Sequence, residues 1–304
     1  MILGKLVVWV CAHAVRSVLA FALVGGSASA LAGVLERIAA GGPLVLAHRE
    51  SSVPFSYVNE AGQAIGYAVD LCLKLAQAVR VHTKRADMPV KFLMVTPADR
   101  ITAIAQGRAD LECGSTTNNA QRRQSVAFTV PHFITGARLL VRSDSKIRGL
   151  EDLKGAKLVS TRGTTPLKIA QQINSEHLMR IQVLEVADHA QAVSMVEKGD
   201  ADAFVMDDVL LYGLIANRPN PAALKVVGRY LSTEPLAIML PKDDPAFKTL
   251  VDQEMRRLIV SREIFALYDK WFMQPIAPRA VVLNMPVSHL LRDFWKYPSD
   301  WVPF

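Results

Sequence analysis

A pattern that occurs twice constrains this chain most. Ile101 and Ile104, at helical spacing, lead into Gln106-Gly107-Arg108-Ala109-Asp110. Val193 and Val196 lead in the same way into Lys198-Gly199-Asp200-Ala201-Asp202. Each copy reads as a helix, a glycine stop, Ala-Asp and then an apolar strand. The copies lie too far apart for a solenoid repeat. They suit an α/β protein of two lobes with similar βα construction, each ending a strand at a common cleft. A length of 304 residues allows about two domains of ordinary size.

In open α/β sheets, ligands sit at the carboxyl ends of strands, so the residues just past each strand are informative. The run from Ala109 to Leu111 delivers Glu112-Cys113-Gly114-Ser115-Thr116-Thr117-Asn118-Asn119-Ala120-Gln121-Arg122. Its spare backbone N–H groups and hydroxyls can donate to an anion, and Arg122 can grip a carboxylate with two parallel bonds. The alternative is a loop whose hydroxyls cap the next helix. A strand over 44–47 delivers His48-Arg49-Glu50-Ser51-Ser52, which makes Arg49 a candidate contact or else a surface ion-pair partner. Arg100 falls in the first turn of a helix over 98–106. A cation is unfavourable there, so a nearby anion would account for it; otherwise it is an ordinary exposed arginine. After a strand over 157–160, Thr165 reads as an N-cap with Pro166 at the first helical position, a second place for an anion. Asp188-His189 opens the helix that ends near Lys198, and a strand over 203–206 exits at Asp207-Asp208.

The remaining segments complete the layout. A helix over 67–79 carries Val69, Cys72, Leu73, Ala76 and Val79 at apolar spacing, and a strand comes next over 90–95. Strands at 137–141 and 236–240 are the expected crossings between lobes, adjacent and roughly antiparallel. Lobe 1 is then 35–137 plus 236–304, and lobe 2 is 138–235. Phe55 and Tyr57 either wall a ligand or belong to the core. Pro275, Pro278 and Pro286 break up the tail. A last helix over 288–295 is expected to pack Leu290, Leu291, Phe294 and Trp295 on the first lobe.

Composition enters at the N-terminus. Lys5, an apolar run through Val24 and Ala28-Ser29-Ala30 read as a signal peptide over 1–30, cleaved after Ala30. Without that segment the net charge of +7 falls to +5, a modest excess that argues against nucleic acid and is compatible with an acidic small ligand. Cys11 leaves with the signal. Cys72 and Cys113 have no metal-ligand spacing, and a disulfide or two buried thiols are both open.

His48-Arg49-Glu50-Ser51-Ser52-Val53-Pro54-Phe55-Ser56-Tyr57, the stretch from Glu112 to Asn119, and Met206-Asp207-Asp208 resemble the periplasmic glutamate/aspartate-binding proteins of bacterial ABC transporters, within the family 3 solute-binding proteins. The resemblance covers the chain from about Leu35 to the tail. It implies a periplasmic-binding-protein type II fold, two α/β lobes joined by two strands and closing like a trap on one amino acid. It also implies that Ser115, Thr117 and Arg122 hold the α-carboxylate and Asp207 the α-ammonium. Arg49, Arg100, Thr165 and His189 would gather round the rest of the ligand and favour a side-chain carboxylate. One departure is Pro97, which stands three residues before Arg100 where a serine is expected and offers no hydroxyl; it leaves glutamate against aspartate open. The implied partner is a membrane ABC permease met transiently by a monomer, with no cofactor and no metal. Three arginines and a histidine exceed what one α-carboxylate needs, and a dicarboxylate balances them better than a neutral amino acid. A charged His189 would make acidic-ligand binding weaken as pH rises through its pKa.

Two other functions use the same scaffold. A dehydratase of prephenate-like acids would need a general acid, for which Glu50, Glu112 and His189 are the candidates. A sensory amino-acid-binding protein would share the binding step but dock on a different partner.

Overall fold

The computed structural model describes residues 33–301; the expected signal segment lies outside the described residues. Helix α1 (Val34–Ala39) buries Val34, Leu35 and Ile38 ahead of strand β1 (Leu44–His48). A small meander, β2 (Ser51–Ser52), β3 (Ser56–Val58) and β4 (Ala64–Ile65), leads to α2 (Tyr67–Thr83). Then come β5 (Val90–Met94), α3 (Arg100–Ala105), β6 (Leu111–Glu112), β7 (Val126–Phe128) and β8 (Phe133–Thr135). A second group contains β9 (Ala137–Arg142), β10 (Lys157–Thr161), α4 (Thr165–Glu176), β11 (Gln182–Val186) and α5 (His189–Lys198). It closes with β12 (Ala203–Asp207), α6 (Asp208–Ala216) and β13 (Leu224–Val227). The chain returns through β14 (Glu234–Leu236) and β15 (Met239–Pro241) to α7 (Pro245–Val260), α8 (Glu263–Phe272) and α9 (His289–Phe294).

Two five-stranded sheets result, in the orders β5-β1-β6-β15-β7 and β11-β10-β12-β9-β13. In each, four strands run one way and the fourth in the order, β15 or β9, runs against them, antiparallel to both neighbours. The twice-occurring sequence pattern does the same work in both. Asp110 accepts the Val45 N–H at 2.8 Å through Oδ2, and its own N–H donates to the Val45 carbonyl at 2.8 Å. Asp202 treats Lys157 identically, both bonds again at 2.8 Å. A short carboxylate just before a strand thus satisfies the first amide of its neighbour, which would otherwise lack a partner.

The crossings fall one strand away from where the sequence places them. β8 pairs antiparallel with β14, Phe133 opposite Leu236 and Thr135 opposite Glu234. The segment at 137–141 is instead interior to the second sheet, and 239–241 is interior to the first. Gly136 marks the break, because a Cβ there would collide with the Ser232 carbonyl. Apolar runs separated by one residue read as a single strand in sequence, so periodicity alone cannot find that break.

The first sheet rests on α2, α7 and α8. On α2 the buried face carries Leu71, Cys72, Leu75, Ala76 and Val79, whereas Leu73, expected inside, is 42% exposed. Phe55, Tyr67, Phe133, Tyr268 and Phe272 form one aromatic cluster between the meander, β8 and α8; Phe55 and Tyr57 are therefore core. Each such ring contributes about 1.5–3 kcal/mol by leaving water. Cys72 and Cys113 are disulfide-bonded, with Cα atoms 6.0 Å apart, which joins α2 to the end of β6. In the tail, Leu291 and Trp295 are buried and Trp295 Nε1 donates to the Pro131 carbonyl at 3.1 Å. Leu290 points outward instead, 52% exposed. Among the described residues no helix is long and apolar enough to cross a membrane.

Candidate functional site

The segment after β6 leaves the first sheet as a loop stitched to the returning strand. Asn118 N–H donates to the Pro235 carbonyl at 2.8 Å, and Ala237 N–H to the Thr116 carbonyl at 2.9 Å. Pairing of this kind fixes Ser115 and Thr117, both buried, at the mouth between the sheets. Facing them is the start of α4. Here the cap is Thr164, whose hydroxyl accepts from the Leu167 N–H at 3.3 Å; Thr165, expected as the cap, is the first helical residue with Pro166 after it. Asp188 caps α5, accepting from the Ala190 N–H at 2.7 Å, which sets His189 on the first turn. Asp207 ends β12, as the strand-exit argument requires.

Six of the eight residues singled out in the sequence line one pocket: Arg100, Ser115, Thr117, Thr165, His189 and Asp207. Arg122 borders it, with Nη1 donating to the Thr117 carbonyl at 2.9 Å and Nη2 crossing to the Gly163 carbonyl at 3.2 Å. Arg49 lies alongside, its Nε donating to the Val95 carbonyl at 3.0 Å. Arg49 is 1% exposed, Arg100 2% and Arg122 7%, which rules out the surface roles considered for the first two. Further bonds close the cleft. Thr117 and Thr165 hydroxyls meet at 3.0 Å, Ser51 donates to Asp188 at 2.5 Å, and Lys168 to Gln121 at 2.7 Å.

The electrostatics are unusual. Among the described residues no carboxylate lies within 4.0 Å of Arg49, Arg100 or Arg122. Arg49 Nη1, Arg100 Nε and Asp207 Oδ1 are buried with no hydrogen-bond partner. Burial, and then the Arg100 charge, pull the Arg49 and Arg122 guanidiniums down to about 9. Burial also pushes the Asp207 carboxyl well above its ordinary range, and Glu234 and Asp208 push the same way. Buried charge of this density with no acid in direct contact is costly to a fold unless an ion of complementary shape completes it.

His189 behaves differently from expectation. Burial, then the Arg49 and Arg100 charges, hold its imidazole well below 6.5, and Nδ1 is 2.7 Å from Thr161 Oγ1. This direction favours the neutral imidazole and runs against the expected weakening of binding with rising pH. The sequence also passed over Glu234. This residue, 2% exposed on the crossing strand β14, accepts the Thr165 hydroxyl at 2.8 Å. Its neighbours Thr233 and Pro235 carry no pattern that marks it out. Among the described residues no group of three His, Cys, Asp or Glu could hold a metal ion.

The chain is similar to known proteins over most of its length. The family model for bacterial extracellular solute-binding proteins, family 3, matches residues 44–274. The L-glutamate/L-aspartate-binding protein of Pseudomonas aeruginosa is 39% identical over 274 residues, covering 90% of this chain and 91% of its own. The glutamate/aspartate import solute-binding protein of Escherichia coli K12 is 36% identical over 290 residues, covering 93% and 96%. Among solved structures, ArgBP from T. maritima superposes with a TM-score of 0.70 at 25% identity, over 79% of this chain and 99% of that one.

Proposed function

The chain belongs to the bacterial extracellular solute-binding proteins of family 3, and we propose that it captures glutamate or aspartate between its lobes and delivers it to an ABC permease. It is a binding protein rather than an enzyme, as its relatives are. The observation that carries the ligand class is the set of three buried guanidiniums without a carboxylate within 4.0 Å. One α-carboxylate can neutralise only one of them.

In this reading Arg122, Ser115 and Thr117 receive the α-carboxylate, and Asp207 the ammonium. An ammonium beside Asp207 restores the charge that burial and its acidic neighbours disfavour. Arg49 and Arg100 answer the side-chain carboxylate, with Thr165 and neutral His189 as hydrogen-bonding partners. Pro97 contributes no hydroxyl there; its carbonyl packs on Gly163 across the cleft. The lobes divide near 137 and 236, with β8 and β14 as the strands that cross between them. The protein works as an exported monomer, cleaved after Ala30 and meeting its permease transiently. Calorimetric titration with glutamate, aspartate, glutamine and asparagine tests the assignment. One of the two acids should bind tightest; an amide binding as well as its acid would replace the proposal with a general amino-acid binder.

A further inference from the structure

Beneath the anion loop lies a carboxylate that these ligand contacts do not use. Glu112 ends β6 and is fully buried. Its Oε2 accepts the Thr116 hydroxyl at 2.7 Å, while Oε1 has no hydrogen-bond partner. Gly114 makes the room: a Cβ there would collide with Glu112 Oε1 and come within 3.2 Å of Arg49 Cγ. The carboxylate thus lies against the loop backbone at Gly114, which also borders the stem of Arg49. No guanidinium nitrogen of Arg49 or Arg100 lies within 4.0 Å of its oxygens. Even so, Glu112 is the largest charge opposing the burial-driven fall of both guanidiniums.

A fixed negative charge at that range offsets part of the positive potential and takes up none of the arginine N–H groups. We propose that Glu112 is a specificity-determining residue: a built-in counter-charge that sets how strongly the cleft prefers an anionic side chain to its amide. This inference rests on reading the cleft as an acidic amino-acid site. The direction comes from Coulomb's law. A side-chain carboxylate is repelled by Glu112 and attracted by Arg49 and Arg100, whereas an amide feels little of either. Glu112 therefore moderates the preference for the acid, which suits a protein that must also let its ligand go.

The test is calorimetry with glutamate and glutamine on wild type and Glu112→Gln, which keeps the Thr116 bond and removes the charge. The ratio of the two affinities should rise by at least about tenfold in favour of glutamate, the effect of one unit charge several ångströms away in a protein interior. A residue with a merely structural role would weaken both ligands alike. Glu112→Ala is the second variant should Glu112→Gln not fold. It removes the same charge and should move the ratio in the same direction. A wild type that binds neither glutamate nor aspartate overturns the reading of the cleft and the inference with it. A wild type that binds glutamate, with an unchanged or lowered ratio in whichever variant folds, overturns the inference alone.

Discussion

A single methyl group at Gly163 should separate closure from folding. Gly163 comes after β10 with φ 79°, and a Cβ there would lie 2.5 Å from the Pro97 carbonyl oxygen and 2.6 Å from Ala98 Cα, backbone atoms on the opposite side of the cleft. Its own carbonyl accepts Arg122 Nη2 at 3.2 Å. Gly163→Ala therefore carries two costs. The left-handed backbone costs about 1–2 kcal/mol for a residue with a side chain, in open and closed forms alike. The collision exists only when the lobes close. It falls about 1 Å short of ordinary contact distance, and opening by that much takes the Arg122 bond out of range. Losing a bond to a charged group costs about 1.5–3 kcal/mol, roughly 10- to 150-fold in affinity. Urea unfolding without ligand reads the first cost, and glutamate calorimetry the second. Small-angle scattering with saturating glutamate should show a variant more extended than wild type. If Gly163→Ala binds and compacts like wild type, the close approach is not part of the liganded state and the reasoning fails.

Other expectations rest on the same contacts. Arg122→Ala should cost every amino-acid ligand about 2–5 kcal/mol, whereas Arg49→Ala and Arg100→Ala should weaken the acids far more than the amides; equal losses in calorimetry would contradict the dicarboxylate site. Replacing both Cys72 and Cys113 by serine opens a loop of sequence separation 41 and should lower unfolding free energy by about 4 kcal/mol on the chain-entropy account, read by urea melts; a loss under about 1 kcal/mol would speak against it. Burial holds His132 down to about 3 and, with Arg49 and Arg100, His189 well below 6.5. The unfolded chain then binds more protons than the folded one below about 6.5. Their contribution is full above that pH and is lost as pH falls below it, for His132 down to about 3, with a slope of about 1.4 kcal/mol per pH unit for each imidazole. Glutamate affinity should accordingly stay level between about pH 6.5 and 8, and a titration with its midpoint near 6.5 would show His189 charged.

Much of this architecture is legible in the order of residues alone. The two Gly-x-Ala-Asp turns announce two βα halves because each aspartate secures a neighbouring strand within its own lobe, a local effect that leaves a local mark. Strand ends rich in hydroxyls or arginine are legible for the same reason: Arg49, Ser115 and Thr117 sit within a few residues of the strand that aims them. What the sequence hides is what depends on distant groups. The break at Gly136 depends on Ser232, which lies far along the chain. The downward pull on His189 comes from burial and then from Arg49 and Arg100, none of it visible in the neighbouring residues. Glu234 has a role only because Thr165 reaches it across the fold. Leu73 and Leu290 keep apolar spacing on helices whose buried faces are narrower than the pattern suggests.

The strand order of the first sheet has a consequence for how the chain is made. β15, at residues 239–241, sits between β6 and β7 and pairs with both. Until those late residues exist, β6 and β7 have no common partner and the sheet stays in two pieces. The second sheet draws all five strands from 137–227 and meets no such delay. A chain made from its N-terminus therefore completes its middle before its beginning, and the half that carries Arg49, Arg100 and Arg122 takes shape last. Such long-range pairing is slow, so the sheet that holds the three arginines is the one whose closure waits on the far end of the chain.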